Sequence, residues 1–501
     1  MIRIHTLFIT ISILAIFGCT TSTDFNVSDL KCENLVQPLG IDKATPRFSW
    51  KINSNSTGSI QKAFHILVAS EASLLKENSA DLWNSGKVQE SNSIHVSYKG
   101  KNLKSGSTAW WSVRVWDQEG KVSAWSEPAR FSIGLLNEDD WEASYITFNT
   151  ENGYRECPQF YSTFEADELE SDYYLHVNSL GYHEVYVNGK KTGTGVLAPA
   201  VSQFDKRSLI LTYDLAPYLR IGSNELIIWL GSGWYTEGLP GVVNNGPVVK
   251  AQVEKINNDL QETILATNDT WVGRKSSYTR HGNWRSDRFG GEIIDGKLAS
   301  DDLKSETNNN TWQPVSVIDV PTHSVTPQMT EQNIIADTIH PIDIQKIGAD
   351  TFLIDMGKNL TGWLNIDFPE LKNGQEVKME YCDHLVDGKK FNDRKQYDLY
   401  IASGDGRENF INKFNYHGFR YVRLTGLHEQ PEANSIEAYL IHTGFEDASG
   451  FECSDPDMNA IHDMLQYTLK CLSIGGDFVD CPQIERLGYG GDGNAMTVTA
   501  Q

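Results

Sequence analysis

The chain has 501 residues, 40% hydrophobic and 22% charged, with 43 Lys and Arg against 66 Asp and Glu for a formal net charge of −23. That length exceeds one compact core and predicts about three to four domains, and the composition is that of a folding globular chain. The charge excludes a nucleic-acid partner, which needs a basic patch that no Lys/Arg cluster supplies, while a neutral ligand or a small organic anion stays allowed.

The first residues, MIRIHTLFITISILAIFGCTTSTD, hold Arg3 as the one fixed charge before an apolar run from Leu7 to Phe17. That run is too short to cross a bilayer as a mature helix and has the form of an export signal. Ile16, Phe17, Gly18 and Cys19 resemble the bacterial lipobox. Residues 1–19 are therefore read as a lipoprotein signal, with Cys19 as the lipid anchor of a periplasmic, outer-membrane or cell-surface protein. The alternatives are a simple secretory signal or an uncleaved anchor. The other cysteines, Cys32, Cys157, Cys382, Cys453, Cys471 and Cys481, lie far apart without a C-x-x-C pair, so neither a disulfide scaffold nor a zinc site is indicated.

Residues 29–135 alternate in short segments, as in WSVRVW, where Trp111, Val113 and Val115 share one face. This predicts a sandwich of fibronectin type III kind. Trp110, Trp111, Trp116 and Trp125 are read as its core in preference to sugar platforms. After the acidic hinge at residues 137–140, a second β-rich region runs over 140–322, with Asn188 and Gly189 as a hairpin turn. A third occupies 330–443, and both read as antiparallel sandwiches. The texture then changes. Ile461, Leu465, Leu469 and Leu472 recur at helical spacing behind Asp455 and Pro456, an N-cap and N1 pair. Residues 446–501 therefore read as the first helices of a further domain, whose apolar stripe needs partners. The fold class is mainly β, with several antiparallel sandwiches in series and the start of a helical domain.

No Walker A, H-E-x-x-H or G-x-S-x-G pattern occurs. A G-x-G-x-x-A echo at Gly193 is discarded because Pro199 follows where a dinucleotide fold needs a helix. The segment DCPQIERLGYGGD, residues 480–492, is different: it gathers Asp480, Glu485 and Asp492 among three glycines and Pro482. Crowding of this kind raises the pKa of the least solvated acid, and a carboxyl that keeps its proton is what a general acid needs. Glycoside hydrolysis uses two carboxyl groups, one to protonate the leaving oxygen and one to activate water or attack the sugar. The remaining acids and Arg486 would hold hydroxyls. The bland alternatives are a solvated acidic loop or a weak calcium loop, although the spacing is not that of an EF-hand.

In this order, PLGIDKATPRFSWKI, WWSVRVWD, SLGYHEVYVNGKK, GSGWY, IDMGKNLTGW, YHGFRYVRLTG, GFECSDPDMNAIH and DCPQIERLGYGGD resemble the bacterial α-L-rhamnosidases of glycoside hydrolase family 78. The resemblance covers almost all of the exported part. It implies β-sandwich modules followed by an (α/α)6 barrel that carries the site, an inverting acid/base mechanism, rhamnose-containing glycans as substrates, and no cofactor or metal. Carried over by position, Glu485 is the acid, and Asp480 and Asp492 bind sugar. Tyr489 and Gly490 depart from the usual Trp-Thr, with Tyr489 still able to stack on a sugar, and Ile484 stands where a charged residue is common. The family's catalytic base lies beyond the position of Gln501, so the chain is expected to be incomplete at its carboxyl end. The rival readings are a non-catalytic carbohydrate-binding lipoprotein and a structural adhesion module.

Overall fold

The computed structural model describes residues 25–500, apart from residues 151–152, 237–238, 243, 245, 258–259, 285–287, 307–310, 322, 387–389 and 393. Residues 1–24, with the signal reading and Cys19, lie outside the described residues. The chain divides into two compact units.

The first unit comprises residues up to 36, 46–101 and 109–130. One sheet orders Phe25–Cys32, Arg47–Ser54 and Val96–Ser97, and the other orders Trp83–Asn84, Gln61–Ala69, Thr108–Asp117 and Ala129–Ser132. The alternation in WSVRVW is kept: Trp111, Val113 and Val115 are buried, and Trp111 stacks on Phe48 at 4.3 Å. Trp110, Trp116 and Trp125, read as core from the sequence, are only half-buried, and cations lie over Trp116 and Trp125. Lys87 lies 4.5 Å from the Trp116 ring and Arg114 lies 4.7 Å from that of Trp125. A face already holding a cation offers no platform to a sugar.

The second unit takes residues 37–45, 102–108 and 131 onward. Its first sandwich has a seven-stranded sheet centred on Val248–Asn257 and Asp172–Leu180, and a six-stranded sheet centred on Gly222–Gly231 and Gln159–Ala166. Their inward residues, among them Val177, Val185, Ile228, Val253 and Trp271, form one core. The other face of the six-stranded sheet contributes Tyr182, Tyr186, Ile227 and Trp229 to a larger core shared with a ten-stranded sheet. That sheet is built around Thr351–Asp367, a 17-residue strand. Between Asp355 and Leu360 its register shifts, so one strand serves two stretches of partner.

The ten-stranded sheet also takes strands from the second region of the sequence. The hairpin of Tyr278–His281 and Gly291–Asp295 lies at its edge, with Ile293 opposite Leu399 in parallel pairing. Gly291 permits this, because a Cβ there would run into the Tyr397 carbonyl oxygen.

Helix α1 is a short turn, Gly296–Ala299; α2 is Pro456–Leu472 and α3 is Gly490–Ala500. Asp455 caps α2 as expected, accepting from the amides of Asp457 at 2.9 Å and Met458 at 3.4 Å. The expected stripe is only partly covered. Leu469 is 8% exposed, whereas Ile461 and Leu465 are 45% and 53% exposed. The helix meets the ten-stranded sheet through its last turns: Tyr467 donates to the Asn359 carbonyl at 2.7 Å, and Thr361 donates to that of Cys471 at 2.6 Å. Its first turns keep an apolar face open, with Met458, Met464 and Phe451 exposed beside Ile461 and Leu465.

Candidate active site

A hairpin of Ser473–Ile474 and Asp477–Phe478 carries the chain from α2 to the acidic turn. Gly475 and Gly476, at φ +69° and +76°, make its reversal. The Gly475 amide donates to Asn333 Oδ1 at 2.8 Å, which fixes the hairpin to the ten-stranded sheet. Val479 is buried, and Asp480 opens the turn.

The turn closes on itself. The amides of Glu485 and Arg486 donate to the Cys481 carbonyl at 3.3 and 3.0 Å, and the Asp480 amide donates to the Leu487 carbonyl at 3.0 Å. Arg486 reaches this geometry at φ +58°, where a non-glycine residue costs about 1–2 kcal/mol. Pro482 and Gln483 lie on Gly418, where an added Cβ would sit 3.1 Å from both the Gln483 nitrogen and Pro482 Cγ. A Cβ on Gly488 would meet the exposed Asp477 carboxylate, which would have to move aside.

The structure brings Asp480, Cys481, Glu485 and Tyr489 together. Tyr489 donates to Glu485 Oε2 at 2.6 Å. Its hydroxyl is pushed up to about 12, chiefly by that bond, with the charges of Glu485 and Asp480 adding to it. Cys481 donates to Asp480 Oδ2 at 3.1 Å, and burial, followed by that carboxylate, pushes the thiol up to about 11. Asp480 Oδ1 is buried and has no hydrogen-bond partner among the described residues. A buried carboxylate oxygen left open is a place for a donor hydroxyl. Glu485 is half-buried and Tyr489 exposed, so the pair faces outward from the sandwich. Asp492 stands half-buried in the first turn of α3, where a carboxylate complements the helix dipole.

Arg486 is a correction to the sequence reading, which gave it to the sugar. It is 2% exposed and turned inward. Its Nε donates to the Pro482 carbonyl at 2.9 Å, Nη1 to Asn415 Oδ1 at 2.7 Å and Nη2 to the Tyr416 carbonyl. A guanidinium occupied in this way has no face left for a ligand. Burial lowers its pKa to about 10, so it remains a cation at neutral pH. Sequence reasoning missed Asn415, Tyr416, Gly418, Trp284 and Phe289 as supports. Tyr416 and Gly418 lie in YHGFRYVRLTG, which marked the resemblance, and Trp284 and Phe289 lie between the segments GSGWY and IDMGKNLTGW quoted for it, but nothing in their pattern points to the acidic turn.

Four family models match in chain order: a Rha78A-like N-terminal immunoglobulin domain over residues 27–137, an alpha-L-rhamnosidase N-terminal domain over 171–337, a bacterial alpha-L-rhamnosidase concanavalin-like domain over 345–442, and a bacterial alpha-L-rhamnosidase 6 hairpin glycosidase domain over 446–501. The chain belongs to the bacterial α-L-rhamnosidase family. Among curated relatives, an alpha-L-rhamnosidase of Formosa agariphila is 30% identical over 95% of this chain and 54% of its own length. One from Alteromonas sp. is 30% identical over 93% of this chain and 52% of its own. Among solved structures, the alpha-L-rhamnosidase of Dictyoglumus thermophilum superposes with a TM-score of 0.85 at 28% identity, over 95% of this chain and 55% of that one. The Streptomyces avermitilis enzyme, complexed with L-rhamnose, has the same fold at 20% identity, with a TM-score of 0.86 over 95% of this chain and 63% of that one. The chain thus spans about half the length of the curated relatives it matches.

Proposed function

We propose that residues 446–501 open the catalytic domain of an α-L-rhamnosidase in which Glu485 delivers the proton to the leaving oxygen of a terminal α-L-rhamnoside. Asp480 and Asp492 hold sugar hydroxyls, and Tyr489 both orients Glu485 and lies beside the sugar. Bond cleavage then inverts the anomeric centre: a second carboxylate activates water across the ring, at the wider carboxyl separation inversion requires. The exposed apolar residues of α2 offer a surface suited to packing by further helical hairpins. The observation that carries the reading is the convergence of Glu485, Tyr489 and Asp480, with its open Oδ1, on one turn.

The test is turnover of an aryl α-L-rhamnoside, with NMR of the first-formed sugar to read its anomeric configuration. Residues 1–501 alone are expected near background. A form of the relatives' full length is expected to release β-L-rhamnose first, and Glu485→Gln to abolish this while rhamnose binding persists. Full activity from residues 1–501, unchanged by Glu485→Gln, would refute the reading. We also propose export with Cys19 as the lipid anchor. Cys19→Ser is then expected to move the protein from the membrane fraction to the soluble one, and unchanged fractionation would count against it.

A further inference from the structure

Arg486 combines two costs at one position. Its backbone is left-handed, and its charge is buried, beside a residue that faces outward. An arginine pointing to solvent from the same backbone would avoid the cost of burial, so the seat must return something.

The seat is an aromatic socket. The guanidinium carbon lies 4.1 Å from the ring centre of Tyr416, 4.3 Å from that of Phe289 and 5.4 Å from that of Trp284. Trp284 is itself held edge-on by Tyr182 and Trp234. The socket therefore draws two rings from residues 284–289 and one from YHGFRYVRLTG, with Trp234 of GSGWY behind Trp284, and the fork enters it from the acidic turn. Its three hydrogen bonds join two pieces of chain, the turn through Pro482 and the 415–416 segment through Asn415 and Tyr416.

That second piece does not give way. Trp363 Nε1 donates to the Asn415 carbonyl at 2.7 Å, and the amides of Lys413 and Phe414 donate to the buried Glu292 at 2.9 and 2.7 Å. His417 is paired with the buried Asp398 at 2.9 Å. Glu485 is thus one residue from a cation anchored in the rigid part of the second unit.

We propose that Arg486 is a positioning residue, a clamp through which the sandwiches, and not the helical domain alone, set where Glu485 delivers its proton. The inference rests on the rhamnosidase reading for its catalytic consequence, but the clamp has its own readout. A lysine cannot replace it, since an ammonium cannot present a planar fork to three acceptors and stack between rings.

Hydrogen exchange on the 501-residue chain tests the clamp. Arg486→Lys and Arg486→Met are expected to speed exchange at the amides of Asp480, Glu485 and Arg486 by about tenfold or more, with peptides from Thr351–Asp367 unchanged. Methylguanidinium added to Arg486→Ala is expected to restore protection. In a form that hydrolyses an aryl rhamnoside, Arg486→Lys is expected to lower kcat by about tenfold to a hundredfold and leave KM within about twofold, a split that general destabilisation does not produce. Unchanged exchange at the turn overturns the proposal. If Arg486→Met unfolds the unit, Asn415→Ala decides: it removes one acceptor, a several-fold loosening confined to the turn supports the clamp, and none overturns it. A loosened turn in the variants, with no rhamnoside cleaved by any form of the wild type, supports the clamp and refutes the rhamnosidase reading, so the two failures are told apart.

Discussion

Glu292 lies at the centre of the second unit and gives its stability a pH dependence that can be isolated by one substitution. The residue is 1% exposed, and burial, reinforced by the nearby Asp398 charge, pushes its carboxyl from 4.5 to about 8. Three donors pull the other way: the amides of Phe414 at 2.7 Å and Lys413 at 2.9 Å, and Asn412 Nδ2 at 3.2 Å. The folded state binds the proton more tightly than the unfolded chain. The stability this contributes is therefore complete below pH 4.5 and disappears as pH rises through 8. At about 1.4 kcal/mol per unit, the loss between pH 5 and pH 8.5 is about 3–4 kcal/mol for this group. Glu292→Gln removes the titration and one acceptor, so at pH 5 it is expected to be less stable by about 1–2 kcal/mol. At pH 8.5 it is expected to equal or exceed the wild type. Guanidinium unfolding followed by far-UV circular dichroism at both pH values gives the comparison, which cancels the other titrating groups. A wild type and variant separated by the same amount at pH 5 and pH 8.5 would refute the argument.

Glu184 runs in the opposite sense. Burial alone would raise its pKa, but Lys413 and then Lys191, at 2.7 and 2.6 Å, bring it down to about 2. Lys413→Met is expected to cost about 3 kcal/mol at pH 7, measured by denaturation, with the deficit shrinking as pH falls below 4.5 and the carboxylate takes a proton. Tyr489→Phe keeps the ring and removes the donor to Glu485; kcat on an aryl rhamnoside is expected to fall about tenfold in an active form, with KM held within about twofold. Gly488→Ala displaces the exposed Asp477 carboxylate, which accepts from the Phe478 amide at 2.8 Å, and is expected to raise exchange at that amide while moving the unfolding midpoint of the sandwiches little. Leu469→Ala is expected to cost about 2–3 kcal/mol of docking and to make α2 a protease target ahead of the sheet beneath it.

Much of this architecture was legible because it rests on local rules. Strand alternation placed Trp111, Val113 and Val115 in a core, and Asp455 with Pro456 announced the start of α2. The resemblance pointed to the turn on which the structure places Glu485 and Asp480. What stayed hidden depends on contacts distant in sequence. Nothing around Ile293 says that its strand pairs in parallel with Leu399, because the hairpin pattern is the same whichever sheet receives it. Arg486 misled for a related reason. A cation beside carboxylates reads as a surface or ligand group, and only the rings of Tyr416, Phe289 and Trp284 reverse that reading. The stripe on α2 was read correctly as amphipathic, but periodicity cannot tell which turns of a helix find a partner, and only the end near Leu469 does.

The hairpin that Tyr278–His281 and Gly291–Asp295 lend to the neighbouring sheet limits how this protein can be recombined. A genetic cut near residue 330 falls in a natural seam of the text, yet each product would expose a wound: one an orphaned ribbon, the other an uncapped sheet edge inviting aggregation. Exchange between relatives should therefore inherit this hairpin and the ten-stranded sheet that receives it together, as a single cassette.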